Sequence, residues 1–145
     1  MTAALQAGVV LDTMVMSWLL EPDRSPLAEP YEELIGGRPI VVAFQTVMEL
    51  RFGTLNANWG ELRRRRLERE LTKYSLMEAD DEMATVCAEL RHRCVQIGHA
   101  HGDKIHDGDR WIAAAAISRT IPLVSHHGVF DSTPGLELLT IAPSS

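Results

Sequence analysis

Apolar positions in this chain alternate between short near-continuous runs and stretches with the i, i+3, i+4 spacing of one helix face. Gly8-Val-Val-Leu-Asp12 is an apolar run closed by a carboxylate, and Met14 to Leu20 follows as a helix, so the chain opens as strand then helix. Glu21-Pro-Asp-Arg-Ser-Pro26 breaks it, with Ser25 suited to an N-cap and Pro26 to the first helical position. Gly36-Gly37 stops the helix that follows. Pro39 to Phe44 has the β-branched density of a strand covered on both faces. Thr46-Val-Met-Glu49 then fits a capping box opening a helix through about Ala57.

A helix from about Gly60 to Lys73 is expected to turn Leu62, Leu67 and Leu71 inward, ahead of a brief strand at Ser75 to Met77. Asp80 or Asp81 can cap a long helix to about Ile97, which Gly98 ends. His99 to Gly108 reads as a polar loop, Asp109 to Arg119 as an alanine-rich helix, Pro122 to Ser125 as a strand and Leu136 to Ile141 as a last strand. This alternation predicts an α/β fold: a central, mostly parallel sheet of four to five strands with helices on both faces. With no internal repeat, low-complexity tract or linker, residues 1–145 read as a single domain.

Composition narrows the class. At 145 residues and 46% apolar, the chain can bury one proper core. The stretch from Ala3 to Leu20 is apolar but has no basic leader, carries Asp12 in its middle, and falls short of the roughly 20 apolar residues of a membrane span. A soluble, cytoplasmic protein without membrane association is expected. Cys87 and Cys94 lie seven residues apart on one helical pattern, about 10 Å at a rise of ~1.5 Å per residue, and so cannot bridge within it. Two reduced, packed thiols in a reducing compartment follow. The net charge of −6 argues against broad attraction to nucleic acid, although Arg51, Arg63 to Arg66 and Arg69 form a basic stretch.

The candidate chemistry lies in three acids. Asp12, Glu49 and Asp109 each stand where a strand ends or a helix begins, and in a parallel α/β fold those places converge at one sheet edge. Singly, each has an ordinary explanation as a strand end, a capping-box partner or a helix-dipole acid. Together they would repel one another, and a hard divalent cation relieves such a cluster.

In order along the chain, Val9-Val-Leu-Asp-Thr13, Thr46-Val-Met-Glu-Leu-Arg-Phe-Gly53, Asp109-Arg-Trp-Ile-Ala-Ala-Ala115 and Leu123-Val-Ser125 with Phe130 behind it resemble the motifs of the PIN-domain nucleases, within them the VapC-type toxins of bacterial toxin–antitoxin pairs. The resemblance runs from about Val9 to Ile141, and four motifs in order are specific where one would be weak. It implies a three-layer PIN-like fold and a metal-dependent endoribonuclease using Mg²⁺ or Mn²⁺, leaving 5′-phosphate and 3′-hydroxyl ends. Asp12, Glu49 and Asp109 match three of the family's acidic metal-site positions, and Thr13 and Thr46 its nearby hydroxyl positions. It further implies an RNA substrate, a cognate antitoxin that inserts a C-terminal segment, and a homodimer.

The departure is at the fourth acidic position, where Ser125-His-His-Gly-Val-Phe130 aligns His127 with the expected carboxylate. Imidazole suits Mn²⁺ better than Mg²⁺. His127 and Asp107 are therefore further metal candidates, and Asp131 another source of charge. Arg110, beside Asp109, and Arg63 and Arg64 in the arginine run are candidates for contact with RNA phosphates; a solvated helix face paired with Glu61, Glu68 and Glu70 is the alternative for the run. Trp111 reads as core packing, and His99, His101, His106 and His126 as solvated loop residues rather than a transition-metal site. Loss of catalysis through His127 would leave a PIN-like binding module instead. A phosphotransfer domain is disfavoured, since Asp12 lacks a second acid two residues on and neither lysine, Lys73 nor Lys104, follows the last strand.

Overall fold

The computed structural model of the chain describes residues 8–143 apart from 22 and 24. The start of the apolar N-terminal run and two residues of the break after Glu21 lie outside the described residues. Five strands, β1 (Val9–Leu11), β2 (Ile40–Ala43), β3 (Ser75–Met77), β4 (Leu123–Val124) and β5 (Leu138–Leu139), form one sheet in the order β3-β2-β1-β4-β5. All four pairings are parallel, with Val10 opposite Val41 on one side and Leu123 on the other. Strands covered on both faces need apolar residues at every position, and Val9, Val10 and Leu11 are all fully buried at the centre.

Helices α1 (Thr13–Leu20), α2 (Ala28–Ile35), α3 (Phe44–Asn56), α4 (Glu61–Leu71), α5 (Asp81–Ile97) and α6 (Asp107–Arg119) complete the described fold. One face of the sheet, through Val10, Val41, Ala43 and Met77, packs on Met83, Cys87, Leu90 and Cys94 of α5 and on Ile112 to Ala116 of α6. Four consecutive buried alanines let α6 lie close to the strands. On the other face, Val9, Leu11, Val42 and Val124 pack on Val15 and Met16 of α1 and on Tyr31 and Ile35 of α2. The result is a three-layer α/β arrangement. Burial pushes both cysteine thiols up from their ordinary range, as packed, protonated core groups require.

Helix ends follow the expected chemistry in several places. Asp80 caps α5 by accepting from Met83 N (2.8 Å), and Gly98 ends it in the left-handed region at φ 74°. Gly36 closes α2 at φ 62°. Three expectations are corrected. α2 begins at Ala28, so Ser25 caps the preceding turn through Leu27 N (3.1 Å) and Pro26 precedes the helix. α3 begins at Phe44, two residues before Thr46, so the Thr46–Glu49 capping box does not form. In α4 only Leu67 is buried, whereas Leu62 is 81% exposed. The loop at His99 to Gly108 is also more ordered than read: two 3₁₀ turns, Ala100–Gly102 and Lys104–His106, lead directly into α6.

Candidate active site

The strand order reverses at β1, which has β2 on one side and β4 on the other, and the crevice beyond the strand ends at such a switch point is where open α/β sheets bind ligands. Asp12 follows β1, Ser125 follows β4, and Thr46 and Glu49 lie in the first two turns after β2. Asp12 is 4% exposed. It caps α1 by accepting from Val15 N (2.9 Å) through Oδ1, while Oδ2 accepts a short hydrogen bond from the Ser125 hydroxyl. One residue therefore starts a helix and offers a desolvated carboxylate.

Thr13, next in sequence, donates a short hydrogen bond to Glu49 Oε1 and lies 3.3 Å from the Thr46 hydroxyl. Gln45 Nε2 donates to Glu49 Oε2 (3.0 Å). The first turn of α6 comes up against the same carboxylate: a Cβ added to Gly108 would lie 2.7 Å from Glu49 Oε2 and 3.0 Å from Gln45 Nε2. Gly108 thus lets the first turn of α6, which carries Asp109, pack against the Glu49 side chain. Asp109 itself is half-buried, with His106 Nδ1 3.5 Å from its Oδ2.

Burial raises the Asp12 pKa above 3.8; the bonds from Ser125 and Val15 oppose that, the Asp109 charge adds to it, and His127 opposes it. Among the described residues, no lysine or arginine pairs with Asp12, Glu49 or Asp109. Elsewhere in the molecule acids commonly have such partners. A buried carboxylate repelled by a second and left without a counter-cation suits a hard divalent ion, and the donors at this edge are carboxylate and hydroxyl oxygens. As placed, no three carboxylates, imidazoles or thiols among the described residues stand close enough to hold an ion together. Glu49 is the member engaged elsewhere, by Thr13 and Gln45.

Other residues singled out in the sequence separate into those at this edge and those away from it. Thr13 and Thr46 are at it, Thr46 fully buried. Arg110 is not: its side chain is 2% exposed, donates to the His101 (2.7 Å) and Asp103 (3.3 Å) carbonyls, and pairs with Asp107. The expectation that Arg110 meets substrate is therefore corrected, as is Asp107 as a metal candidate, since Asp107 lines a groove with Cys87, Arg91 and Trp111 on the α5 side. Trp111 packs against the core as expected.

The histidine reading also changes. His101 is fully buried, stacked 5.0 Å from His99 and tilted 5.4 Å from Phe130, and burial holds its pKa down to about 4. His99 bonds the Asp131 carbonyl through Nε2 (2.7 Å), and His126 meets the Tyr31 hydroxyl at 2.7 Å. Three loop histidines are thus structural.

In the arginine run, Arg65 pairs with Glu61 and Arg51 with Glu68, both at the surface. Arg63 pairs with Glu21 (3.0 Å) and lies 3.5 Å over the Trp59 ring. Arg63 lines a groove with Leu20, Glu21, Trp59 and Leu67, and those four residues also line an adjoining groove of about 330 Å³ that reaches Thr13 and Glu49. Arg64 faces a different groove, with Arg51 and Glu68.

Residues 9–136 match the model of the PIN domain family, which spans β1 through the approach to β5. The chain belongs to the PIN domain family. Among curated relatives of this PIN domain, Ribonuclease VapC5 of Mycobacterium tuberculosis is 30% identical over 106 residues, covering 72% of this chain and 75% of that protein. Among solved structures, VapBC-5 from the same organism, a member of the VapBC family of toxin-antitoxin systems, superposes with a TM-score of 0.68 at 28% identity over 93% of this chain and 99% of that one. VapBC2 from Rickettsia felis, bound to a DNA fragment from its promoter, gives a TM-score of 0.75 at 21% identity, covering 91% and 97%. This PIN domain thus shares its fold with both structures.

Gln45, Gly108 and Ser125 escaped notice as site residues. Ser125 lay inside a recognised motif, and its position directly after a strand paired with β1 was the available signal. Gln45 and Gly108 gave none, because their roles arise only where α3 meets α6.

Proposed function

We propose that this PIN domain is a metal-dependent endoribonuclease, the toxin of a type II toxin–antitoxin pair, cytoplasmic and restrained by a cognate antitoxin. The observation that carries the reading is a sheet edge holding Asp12, Glu49 and Asp109 with no lysine or arginine paired to them among the described residues, in a chain 30% identical to a VapC ribonuclease. Asp12, Glu49 and Asp109 would hold Mg²⁺ or Mn²⁺, which when bound lowers the pKa of water and offsets charge on the phosphodiester.

The chain's own groups account for the rest. Desolvation penalises the Asp12 charge, and its hydrogen-bond donors are neutral, so the carboxylate is disposed toward an incoming cation. Ser125 and Val15 N–H fix both of its oxygens in place, so little reorganisation is needed on binding. Thr13 and Gln45 keep Glu49 oriented at the same edge. Arg63, in the groove adjoining Glu49, is the better candidate of the run for holding an RNA phosphate, at the cost of its pairing with Glu21.

Partner contacts have a candidate surface as well. Phe44, Met48, Phe52 and Leu55 are each about half-exposed or more along one stripe of α3, with Leu62 of α4 nearby in sequence. A homodimer or antitoxin contact would cover such a stripe. Among the described residues no helix is long and apolar enough to cross a membrane.

A binding module without efficient catalysis is the second reading, favoured by the acids not closing on one point and by His127 at the fourth position. Cleavage of structured RNAs by the chain purified free of antitoxin, in Mg²⁺ or Mn²⁺, separates the two. Asp12→Asn should lower cleavage by about 10³-fold or more, the scale on which loss of a central catalytic group is felt. No cleavage by the wild type with either ion would support the binding module.

A further inference from the structure

His127 stands where the family pattern has an acid, and its hydrogen bonds determine what it can do there. Its Nδ1 accepts from Val129 N (3.0 Å), capping the short turn Gly128–Phe130 as a carboxylate oxygen would. Its own backbone N donates to the Ser125 hydroxyl (3.0 Å), and that hydroxyl donates to Asp12. The ring meets Phe130 edge-on at 6.4 Å, which adds to its orientation. His127 is exposed, and the Ser125 hydroxyl that its backbone N–H meets is the one bonded to Asp12, which places the residue at the Asp12 edge.

A neutral imidazole has one N–H and one lone pair. With the Nδ1 lone pair taken by Val129 N–H, the proton must be on Nε2, and a protonated nitrogen cannot ligate a metal. Ligation through Nε2 would move the proton to Nδ1, where it would face the Val129 N–H and break the cap. Asp and His therefore share the capping role at this position but leave opposite second groups, an acceptor in one and a donor in the other.

We infer that His127 is a hydrogen-bond donor to the scissile phosphate through Nε2–H, and that it is not a ligand of the metal. This rests on the nuclease reading for its substrate. The centre then depends on Asp12, Glu49 and Asp109 for its ion, while the fourth corner supplies a neutral donor to an anionic oxygen. No covalent step passes through His127.

The test combines ring ¹⁵N NMR with three variants. In the wild type, His127 should show the Nε2–H tautomer, unchanged when Mg²⁺ is added. His127→Asn preserves a capping oxygen and an N–H donor, and should keep kcat within about tenfold; His127→Ala should lose about 100-fold in kcat with little change in KM, as for removal of one donor to a developing anion. His127→Asp should bind Mn²⁺ at least about tenfold more tightly in titrations without RNA. An Nδ1–H tautomer, a Mg²⁺-dependent change at Nε2, weaker Mn²⁺ binding by His127→Ala than by wild type, or undiminished kcat in His127→Ala would each overturn the inference. If the wild type cuts no RNA, the nuclease reading and the phosphate role fall together, whereas the tautomer and Mn²⁺ titrations still decide separately whether Nε2 donates or ligates.

Discussion

Charges on the arginine helix and charges at the strand-end edge follow opposite rules. On α4 and its surroundings, Arg65 meets Glu61, Arg51 meets Glu68, Arg63 meets Glu21 and Lys73 meets Glu70. At the edge, Asp12 is buried and hydrogen-bonded only to dipolar donors, and besides burial it is the charge of another carboxylate, Asp109, that raises its pKa. Exposed pairs of the first kind contribute little, about 0–1 kcal/mol each. A buried acid without a lysine or arginine partner costs stability when ionised, and such groups are more common at functional sites than in ordinary cores.

The sign of that cost can be worked out. Asp12 has its folded-state pKa raised above the unfolded value of 3.8, so the contribution it makes is fully present below that value and is lost as pH rises through the folded pKa. At neutral pH the ionised group is a net burden on the metal-free protein. Removing the charge should stabilise the fold while destroying the site, the reverse of what a substitution on α4 would do.

Three substitutions sharpen the contrast, the largest effect first. Gly108→Ala should cut RNA cleavage by about 10²-fold, because the new methyl displaces Glu49 and Gln45 side chains rather than backbone. Its melting temperature should stay close to wild type; full activity would remove Gly108 from the site. Ser125→Ala removes the hydroxyl that lowers the Asp12 pKa, so the acid limb of the kcat/KM profile should move to higher pH. A fixed acid limb would separate Asp12 from the rate. Arg65→Ala should change stability by no more than about 0.3–0.5 kcal/mol, as expected for an exposed i, i+4 pair, and leave cleavage of RNA unaltered. A large loss of cleavage there would bring the arginine run into the substrate path.

What sequence could reveal divides along the same line. Strand and helix alternation and the three acids at strand ends or helix starts were legible, because each depends on local period and position, whereas the strand order β3-β2-β1-β4-β5 was not, since pairing is set by long-range packing. Arg110 was misread through its adjacency to Asp109: one residue along a helix turns the side chain by about 100°, and here that carries it into the core beneath the His99–His106 turns. Thr46 and Glu49 matched a capping pattern, but α3 starts earlier, which frees both for contacts with Thr13 across α1 and α3. His101 looked solvated in a polar segment, and only tertiary packing against Phe130 makes it a core residue. Gly108 was invisible because its importance lies in the space above it.

The most direct test of the claim that this edge is built for a cation is thermal unfolding of wild type and Asp12→Asn, each with and without Mn²⁺. Without metal, Asp12→Asn should melt above wild type, by about 2–4 °C for each kcal/mol relieved in a domain of this size. Mn²⁺ should raise the wild-type melting temperature and leave Asp12→Asn nearly unmoved. An Asp12→Asn protein no more stable than wild type, with an equal response to Mn²⁺ in both, would contradict it.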